Sequence, residues 1–277
     1  MSKPWLAKVD VSQCASMSEA ARLIHKAWID HKVVHISRPQ YAPTAEAMRA
    51  FYDELCNAVG TLHALAEDAH IGDRMSGEQR PGTIWMEVRF EQNFQDAYRH
   101  SANAQPLHTD GSYVSAFPGA TLMYCVANAA IGGETTFLNS DDIMDLIARR
   151  DPELFQFMTN EIVPHARSGD FRAMKIADKS DGDWLMNWNY YCVDKSITGD
   201  KRALVERLFD LLTKDAEVQA LIEPVKMAPG DAVVWKDDRL LHGRNGFTAN
   251  YDGERFLVKC AIEVQPEKSF GRALEMA

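Results

Sequence analysis

Short strand-like segments fill the middle and the end of the chain, and they restrict its fold more than any other feature. Residues 120–127 (ATLMYCVA) form an apolar run typical of a buried strand, and residues 255–264 (RFLVKCAIEV) are the clearest strand of the chain. Helical periodicity is found in four segments, residues 18–30, 45–59, 140–150 and 201–213. Their expected N-caps include Ser18, Thr44 and Ser140. The pattern predicts an α+β protein with a β-sandwich or barrel-like core, flanked by helices.

Composition narrows the class of protein. The 277 residues can bury a substantial core, and we expect one domain over residues 1–277, because no repeat or linker divides them. A formal net charge of −10 argues against a nucleic-acid partner, which would need cationic contacts to phosphate. The five cysteines are scattered without a C-x-x-C pair, which favours a reducing compartment. Residues 1–16 lack the pattern of a signal peptide, and no apolar run approaches the roughly 20 residues of a membrane span. We therefore expect a cytoplasmic protein without a membrane partner.

A histidine and an aspartate two residues apart form a candidate metal motif, His108-Thr109-Asp110. Side chains at positions i and i+2 of a strand point to the same face, so both could bind one ion from one side. His242, in the stretch LLHGR, is the best candidate for a third ligand. Two histidines and one carboxylate on one face of a metal leave the other positions open, as in non-haem Fe(II) oxygenases.

A candidate anion site accompanies the metal motif. Arg255 opens the last strand, and Lys259 lies four residues further on the same face. A guanidinium offers a rigid fork for a carboxylate, and Thr135, after the Gly132-Gly133 turn, could add a hydroxyl. The alternative is that Arg255 simply pairs with an acidic neighbour, Asp252 or Glu254.

Four pieces of sequence carry a resemblance to a known family. They are the LHTD metal motif at residues 107–110, the GGET turn at residues 132–135, the PGD turn at residues 229–231 that leads into DRLLHGR at residues 238–244, and Arg255. In this order they resemble the Fe(II)/2-oxoglutarate-dependent dioxygenases of the taurine dioxygenase (TauD/TfdA) and clavaminate synthase-like superfamily. The two early helices and the short strand at residues 33–36 also look like that family's N-terminal layer, so the resemblance covers most of the chain.

The resemblance implies a role for each matching residue. His108, Asp110 and His242 would hold Fe(II), and Thr135 and Arg255 would bind the distal carboxylate of the cosubstrate 2-oxoglutarate. It also implies O₂ as the oxidant and a double-stranded β-helix (jelly roll, cupin-like) core flanked by helices. A carboxylate at Asp110 is unlike the related halogenases, in which a small residue frees a site for chloride.

Two positions depart from the family pattern. Lys259 stands where a second arginine is often seen, so the anion site is expected to be arranged differently. The run Asp237-Asp238-Arg239 replaces a more usual Asp-Asn-Arg, and no catalytic role is assigned to its members.

The expected reaction is hydroxylation, with desaturation or cyclisation as variants, of a small, polar, amino-acid-like metabolite. The substrate would lie over His108 and Asp110, under the loops at residues 66–82, 91–106 and 168–183. Candidate substrate contacts are Arg89, Arg167, Arg172, Trp188, Asn189 and Tyr190. A solvated surface position is the more common place for such arginines, and core packing is as common for such aromatic residues.

Three other functions use the same residues. A Zn²⁺-dependent hydrolase or lyase would need a nearby general base and would not need Arg255 and Thr135 together. A non-enzymatic binding module on the same β-helix would be expected to lose a ligand or the anion pocket. An oxygenase acting on a protein side chain or nucleobase is disfavoured by the acidic charge and by the lack of an added recognition module.

Overall fold

The computed structural model describes residues 4–38, 44–63, 84–94, 97–114, 119–167 and 169–264. The loop expected at residues 66–82 lies outside the described residues. Within these ranges, no helix is both long enough and apolar enough to cross a membrane.

Six α-helices are described. They are α1 (Met17–Asp30), α2 (Ala45–Val59), α3 (Ser140–Arg150), α4 (Pro152–Asn160), α5 (Gly199–Lys214) and α6 (Ala216–Leu221). Thr44 caps α2 as predicted, because its side chain accepts a hydrogen bond from Ala47 N. The cap of α1 is Ser16 rather than Ser18. The cap position of α3 is Asn139, and the Ser140 hydroxyl instead donates to the carbonyl of Arg239.

Fifteen strands are described. They are β1 (Leu6–Asp10), β2 (Val33–Ser37), β3 (Gly60–His63), β4 (Met86–Arg89), β5 (Gln105–His108), β6 (Ala120–Ala127), β7 (Thr135–Asn139), β8 (Val163–Arg167), β9 (Asp170–Met174), β10 (Ala177–Ser180), β11 (Asp183–Met186), β12 (Glu223–Val225), β13 (Ala232–Lys236), β14 (Leu240–Arg244) and β15 (Phe256–Val264). The chain is thus a mixed protein of helices and sheets, as predicted.

Two larger sheets and two hairpins organise these strands. The larger sheet has the order β1-β2-β13-β6-β15-β3, and β4 also pairs with β15. The smaller sheet has the order β12-β7-β14-β5. The β8-β9 and β10-β11 pairs are separate two-stranded sheets. All of these strand pairs are antiparallel except β1-β2, which is parallel. Most paired strands are distant in sequence: β13 pairs with β2, and β15 pairs with β3.

Alternating side chains of the larger sheet belong to two different cores. On β6, Leu122 and Tyr124 pack with α1 and α2, whereas Met123 and Cys125 pack with Phe137 of the smaller sheet. A third core joins the outer face of the smaller sheet to α3, α4 and α5. Apolar packing on both faces of each sheet therefore fixes the position of β5 and β14, the two strands that carry the candidate histidines.

Candidate metal centre

The two candidate histidines lie directly opposite each other on neighbouring strands. His108 is the last residue of β5, and His242 pairs with it from β14. The imidazole centroids are 4.3 Å apart. One ligand atom from each of His108, Asp110 and His242 lies within 4.8 Å of the others. The structure therefore brings together the three residues that the sequence predicted as metal ligands.

Asp110 joins this cluster from a turn, and not, as the sequence predicted, from the same strand face as His108. The strand ends at His108, so Asp110 does not share a strand face with it and lies instead in the following turn. Gly111 continues the turn with a positive φ of 63°, a conformation that glycine adopts without strain. Asp110 Oδ1 then lies 3.6 Å from His108 Nε2 and 3.8 Å from His242 Nε2.

These donor atoms fit a divalent iron ion. Two imidazole nitrogens and one carboxylate oxygen approach from one side, as in the facial triad of non-haem Fe(II) sites. His108 Nδ1 faces the carbonyl of Pro106 at 2.9 Å, an outer contact that leaves Nε2 for the metal. The amide nitrogen of Gln105 contacts the same Nε2 at 3.1 Å, so metal binding would displace that contact.

Lys259 forms an ion pair with the remaining oxygen of Asp110. Its Nζ lies 2.7 Å from Asp110 Oδ2, and both side chains are largely buried. Although burial opposes ionisation, Lys259 and the two histidines hold the pKa of Asp110 well below its usual range. Asp110 is therefore ionised and ready to bind a cation through Oδ1.

The two imidazoles differ in their electrostatic surroundings. Burial and the neighbouring His242 lower the pKa of His108. Burial also acts against the charged form of His242, but the carboxylates of Asp237 and Asp110 raise its pKa overall. His242 Nδ1 lies 3.3 Å from Asp237 Oδ1.

Arg255 and Thr135 lie beside the metal cluster without a protein anion. Arg255 is 2% exposed, and its guanidinium donates to the carbonyl of Gly133. No carboxylate among the described residues forms an ion pair with it, so the alternative pairing with Asp252 or Glu254 is absent there. The Thr135 hydroxyl is buried and has no hydrogen-bond partner among them. Burial and the nearby Arg244 lower the pKa of Arg255 to about 9, although the charge of Glu134 acts in the opposite direction.

A glycine makes the approach of Arg255 possible. Gly133 has a φ of 76°, and a Cβ added there would lie 3.0 Å from Arg255 Nε. The Gly132-Gly133 turn is therefore required by close packing against the guanidinium as well as by its backbone conformation.

One cavity of about 150 Å³ joins these groups. Its lining includes the three cluster residues, Lys259, Thr135, Arg255, and the side chains of Tyr98, Arg99, Gln105, Tyr113, Arg167, Asn189, Tyr190 and Tyr191. Tyr98 and Tyr191 lie close together in this lining, with ring centroids 5.7 Å apart.

The candidate substrate contacts divide between this cavity and other places. Asn189, Tyr190 and Arg167 line it. Trp188 is fully buried in the core between the smaller sheet and the helices, so its role is packing. The remaining two, Arg89 and Arg172, do not line it. Arg89 pairs with Glu91, and Arg172 lines a second cavity of about 200 Å³, which also touches Asp110.

Sequence reasoning missed Tyr98, Arg99 and Asp237. The first two lie in an irregular segment without periodicity, and only its position just before the metal motif could have drawn attention to them. Asp237 matches the first residue of the Asp-Asn-Arg pattern, and its place five residues before His242 was a usable signal.

The sequence profile of the Taurine catabolism dioxygenase TauD, TfdA family matches residues 2–261. The chain belongs to this TauD/TfdA family. The predicted resemblance is thereby confirmed.

Curated relatives of this TauD/TfdA protein are distant. Uridine-5'-phosphate dioxygenase from Streptomyces sp is 26% identical over 183 residues, which cover 61% of this chain and 65% of that protein. Gamma-butyrobetaine dioxygenase from Homo sapiens is 24% identical over 164 residues, covering 54% and 42% of the two chains. The matched regions thus span less than two thirds of either relative.

A solved structure matches the whole fold of this TauD/TfdA protein more completely. Asparagine oxygenase, in complex with Fe(II), 2S,3S-3-hydroxyasparagine and succinate, superposes with a TM-score of 0.66 over 94% of each chain. The sequence identity is only 13%, so the likeness concerns the fold.

Proposed function

We propose that this protein is an Fe(II)- and 2-oxoglutarate-dependent oxygenase that hydroxylates a small polar, amino-acid-like metabolite. His108, Asp110 and His242 hold Fe(II) through two imidazole nitrogens and one carboxylate oxygen. Their ligand atoms lie within 4.8 Å of one another, and the chemistry of this donor set matches iron in oxygenases. The membership in the TauD/TfdA family supports the same assignment.

The observation that carries the proposal is the buried charge of Arg255, which forms no ion pair with a described carboxylate, beside the buried hydroxyl of Thr135, which has no hydrogen-bond partner among the described residues. A buried guanidinium and a buried hydroxyl that find no anion and no hydrogen-bond partner among the described residues are both unfavourable, unless a ligand satisfies them. Both groups line the cavity that contains the metal ligands. The distal carboxylate of 2-oxoglutarate supplies the required negative charge and acceptor oxygens, while its other end reaches the metal. A hydrolase would have no use for this pair.

When bound, iron and 2-oxoglutarate activate O₂, releasing succinate and CO₂ as a substrate C–H bond is oxidised. The chain's own residues bind and orient the metal, the cosubstrate and the substrate. Asp110 presents one oxygen to the metal because Lys259 holds the other. Arg255 and Thr135 orient the cosubstrate. Geometry, rather than an acid or base, decides which hydrogen is removed.

The substrate occupies the same cavity as the cosubstrate. Arg167, Asn189 and Tyr190 offer cationic and polar contacts there, and Arg99 adds a second cation. A small anionic or zwitterionic molecule fits the volume and charge of this lining. The relatives named above support the class, since one is an asparagine oxygenase and another a gamma-butyrobetaine dioxygenase. We expect no nucleic-acid partner, in keeping with the net charge of −10.

The strand order supports a double-stranded β-helix for the core. Two four-stranded groups, β4-β15-β6-β13 and β12-β7-β14-β5, pack against each other. Consecutive strands from β4 to β7, and from β12 to β15, alternate between the two groups. The family profile spans residues 2–261, which supports one domain over the whole chain. Five free cysteines support a cytoplasmic location.

The test is an anaerobic titration of the metal-free protein with Fe(II) and then 2-oxoglutarate, followed by the weak visible charge-transfer band of the chelate. We expect the band in the wild type, its loss in His108→Ala, and a much higher 2-oxoglutarate concentration for half-saturation in Arg255→Ala. Arg22→Ala is the matched control, because this arginine is exposed on α1 and does not line the cavity. A wild type that forms no band while binding Zn²⁺ tightly would contradict the proposal.

A further inference from the structure

Asp237 lies directly behind the metal cluster and does not line the cavity. It is 1% exposed and begins a short 3₁₀ helix, Asp237–Arg239, between β13 and β14. Its backbone N–H donates to the carbonyl of Gly119 at 2.9 Å, just before β6. Its place is therefore set by two strands of the larger sheet and by the strand that carries His242.

The carboxylate of Asp237 contacts three groups. Oδ2 accepts a hydrogen bond from the Thr121 hydroxyl at 2.7 Å. Oδ1 accepts one from the backbone N–H of Asp110 at 3.1 Å and lies 3.3 Å from Nδ1 of His242. Asp237 thus touches two of the three cluster residues, and neither contact uses an atom that faces the metal position.

The two neutral donors do not account for a negative charge at this position. Thr121 and the Asp110 backbone would be satisfied by an uncharged amide, and a buried carboxylate is unfavourable unless a cation or a strongly polarised group accompanies it. Among the described residues, His242 is the group capable of positive charge within ion-pair distance of Asp237. No described group makes an aligned hydrogen bond to its buried Nδ1, so a small ring rotation on metal binding would leave Asp237 as the acceptor.

The Nδ1 atoms of the two candidate histidine ligands consequently face different acceptors. Nδ1 of His108 faces a neutral carbonyl, that of Pro106. Nδ1 of His242 faces a carboxylate. An imidazole whose Nδ1–H points at a carboxylate keeps the Nε2 lone pair for the metal and becomes a stronger donor than one facing a carbonyl.

We propose that Asp237 is a positioning residue that holds His242 in the Nδ1–H form and makes it the stronger imidazole ligand of the pair. Its bond to the backbone of Asp110 holds the third ligand in place at the same time. The inference rests on the proposed function only in so far as a metal binds this cluster, and it is independent of 2-oxoglutarate.

The first test is calorimetric titration of the metal-free protein with Zn²⁺. Asp237→Asn keeps the size and one acceptor oxygen but removes the charge, and its dissociation constant should rise about 10-fold or more. Thr121→Val removes only the hydroxyl bond to Oδ2. Asp238→Asn removes a neighbouring carboxylate that forms neither a hydrogen bond nor an ion pair with His242. Both controls should bind Zn²⁺ like the wild type. An unchanged affinity in Asp237→Asn, or an equal loss in Asp238→Asn, overturns the proposal.

A second test needs no variant and so does not depend on folding of Asp237→Asn. In ¹⁵N-histidine NMR of the Zn²⁺-loaded wild type, the Nδ1 proton of His242 should lie further downfield than that of His108, since it faces a carboxylate. Equal shifts would count against the inference. If these tests succeed while the wild type forms no chelate with Fe(II) and 2-oxoglutarate, the proposed function fails and the role of Asp237 stands.

Discussion

Lys259 and Asp110 form a largely buried ion pair, with Nζ 2.7 Å from Oδ2, on the side of the carboxylate that faces away from the histidines. Asp110 Oδ2 is therefore bound by Lys259, and Oδ1 remains available to bind a metal. A lysine makes this contact with a single point charge, whereas an arginine would bring a fork that also competes for other acceptors. This departure from the usual arginine therefore has a defined consequence for the cluster.

Removing this lysine should destabilise the metal-free protein. Lys259→Met leaves the buried Asp110 without its cation, and we expect a loss of about 3 kcal/mol in the free energy of unfolding, measured with urea. Zn²⁺ should restore more stability to the variant than to the wild type, because the ion replaces part of the lost charge. Lys259→Arg is the control that keeps the pair. Equal losses with and without Zn²⁺ would contradict this account.

Replacing Thr135 should affect the stability of the protein and its affinity for 2-oxoglutarate differently. Its hydroxyl is buried and has no hydrogen-bond partner among the described residues, so Thr135→Val should leave the stability of the metal-free protein unchanged or raise it by up to about 1 kcal/mol. The same change should raise the dissociation constant of 2-oxoglutarate about 10-fold, since a hydrogen bond to a charged group is lost. Thr135→Ser should bind nearly as the wild type does. The chelate band and thermal unfolding measure the two effects, and a parallel loss of both would argue for a structural role.

Arg244 holds in place, by hydrogen bonds, the segment from which Tyr98 and Arg99 line the cavity. Its guanidinium donates to the carbonyls of Tyr98, Ser101 and Asn103. Arg244→Lys cannot reach all three acceptors, so amide hydrogen exchange over residues 98–104 should become faster. Exchange in α1, which packs against α2, β1 and β2, is the internal reference. Unchanged protection over residues 98–104 would show that the neighbouring backbone bonds suffice.

His165 should make stability depend on pH. It is fully buried, and burial, with a smaller contribution from Arg172, lowers its pKa from 6.5 to about 4. Between those values the unfolded chain binds a proton that the folded chain does not, so this stabilisation is present above pH 6.5 and is lost as the pH falls towards 4. The difference corresponds to about 3 kcal/mol. His165→Phe cannot titrate, so its free energy of unfolding should fall less than that of the wild type over the same range. Parallel curves would refute the assignment.

Local sequence determined the elements and the candidate cluster. Helix α2 spans Ala45–Val59 with Thr44 as its cap, and β6 spans Ala120–Ala127, both as predicted. Hydrophobic periodicity and capping depend on neighbouring residues, so they can be read from a short window. The motif around His108, with His242 and Arg255, was also recognisable, because its residue types and their order identify the family.

Tertiary structure alone decided which of several similar side chains belong to the site. Arg89, Arg167 and Arg172 are equivalent in sequence, yet only Arg167 lines the cavity with the metal cluster. The contacts of Lys259 with Asp110, and of Asp237 with Thr121 and Asp110, were equally hidden, because each joins residues that are more than 100 positions apart in the chain. Such pairings depend on how whole sheets pack against each other, which no local pattern of residues encodes.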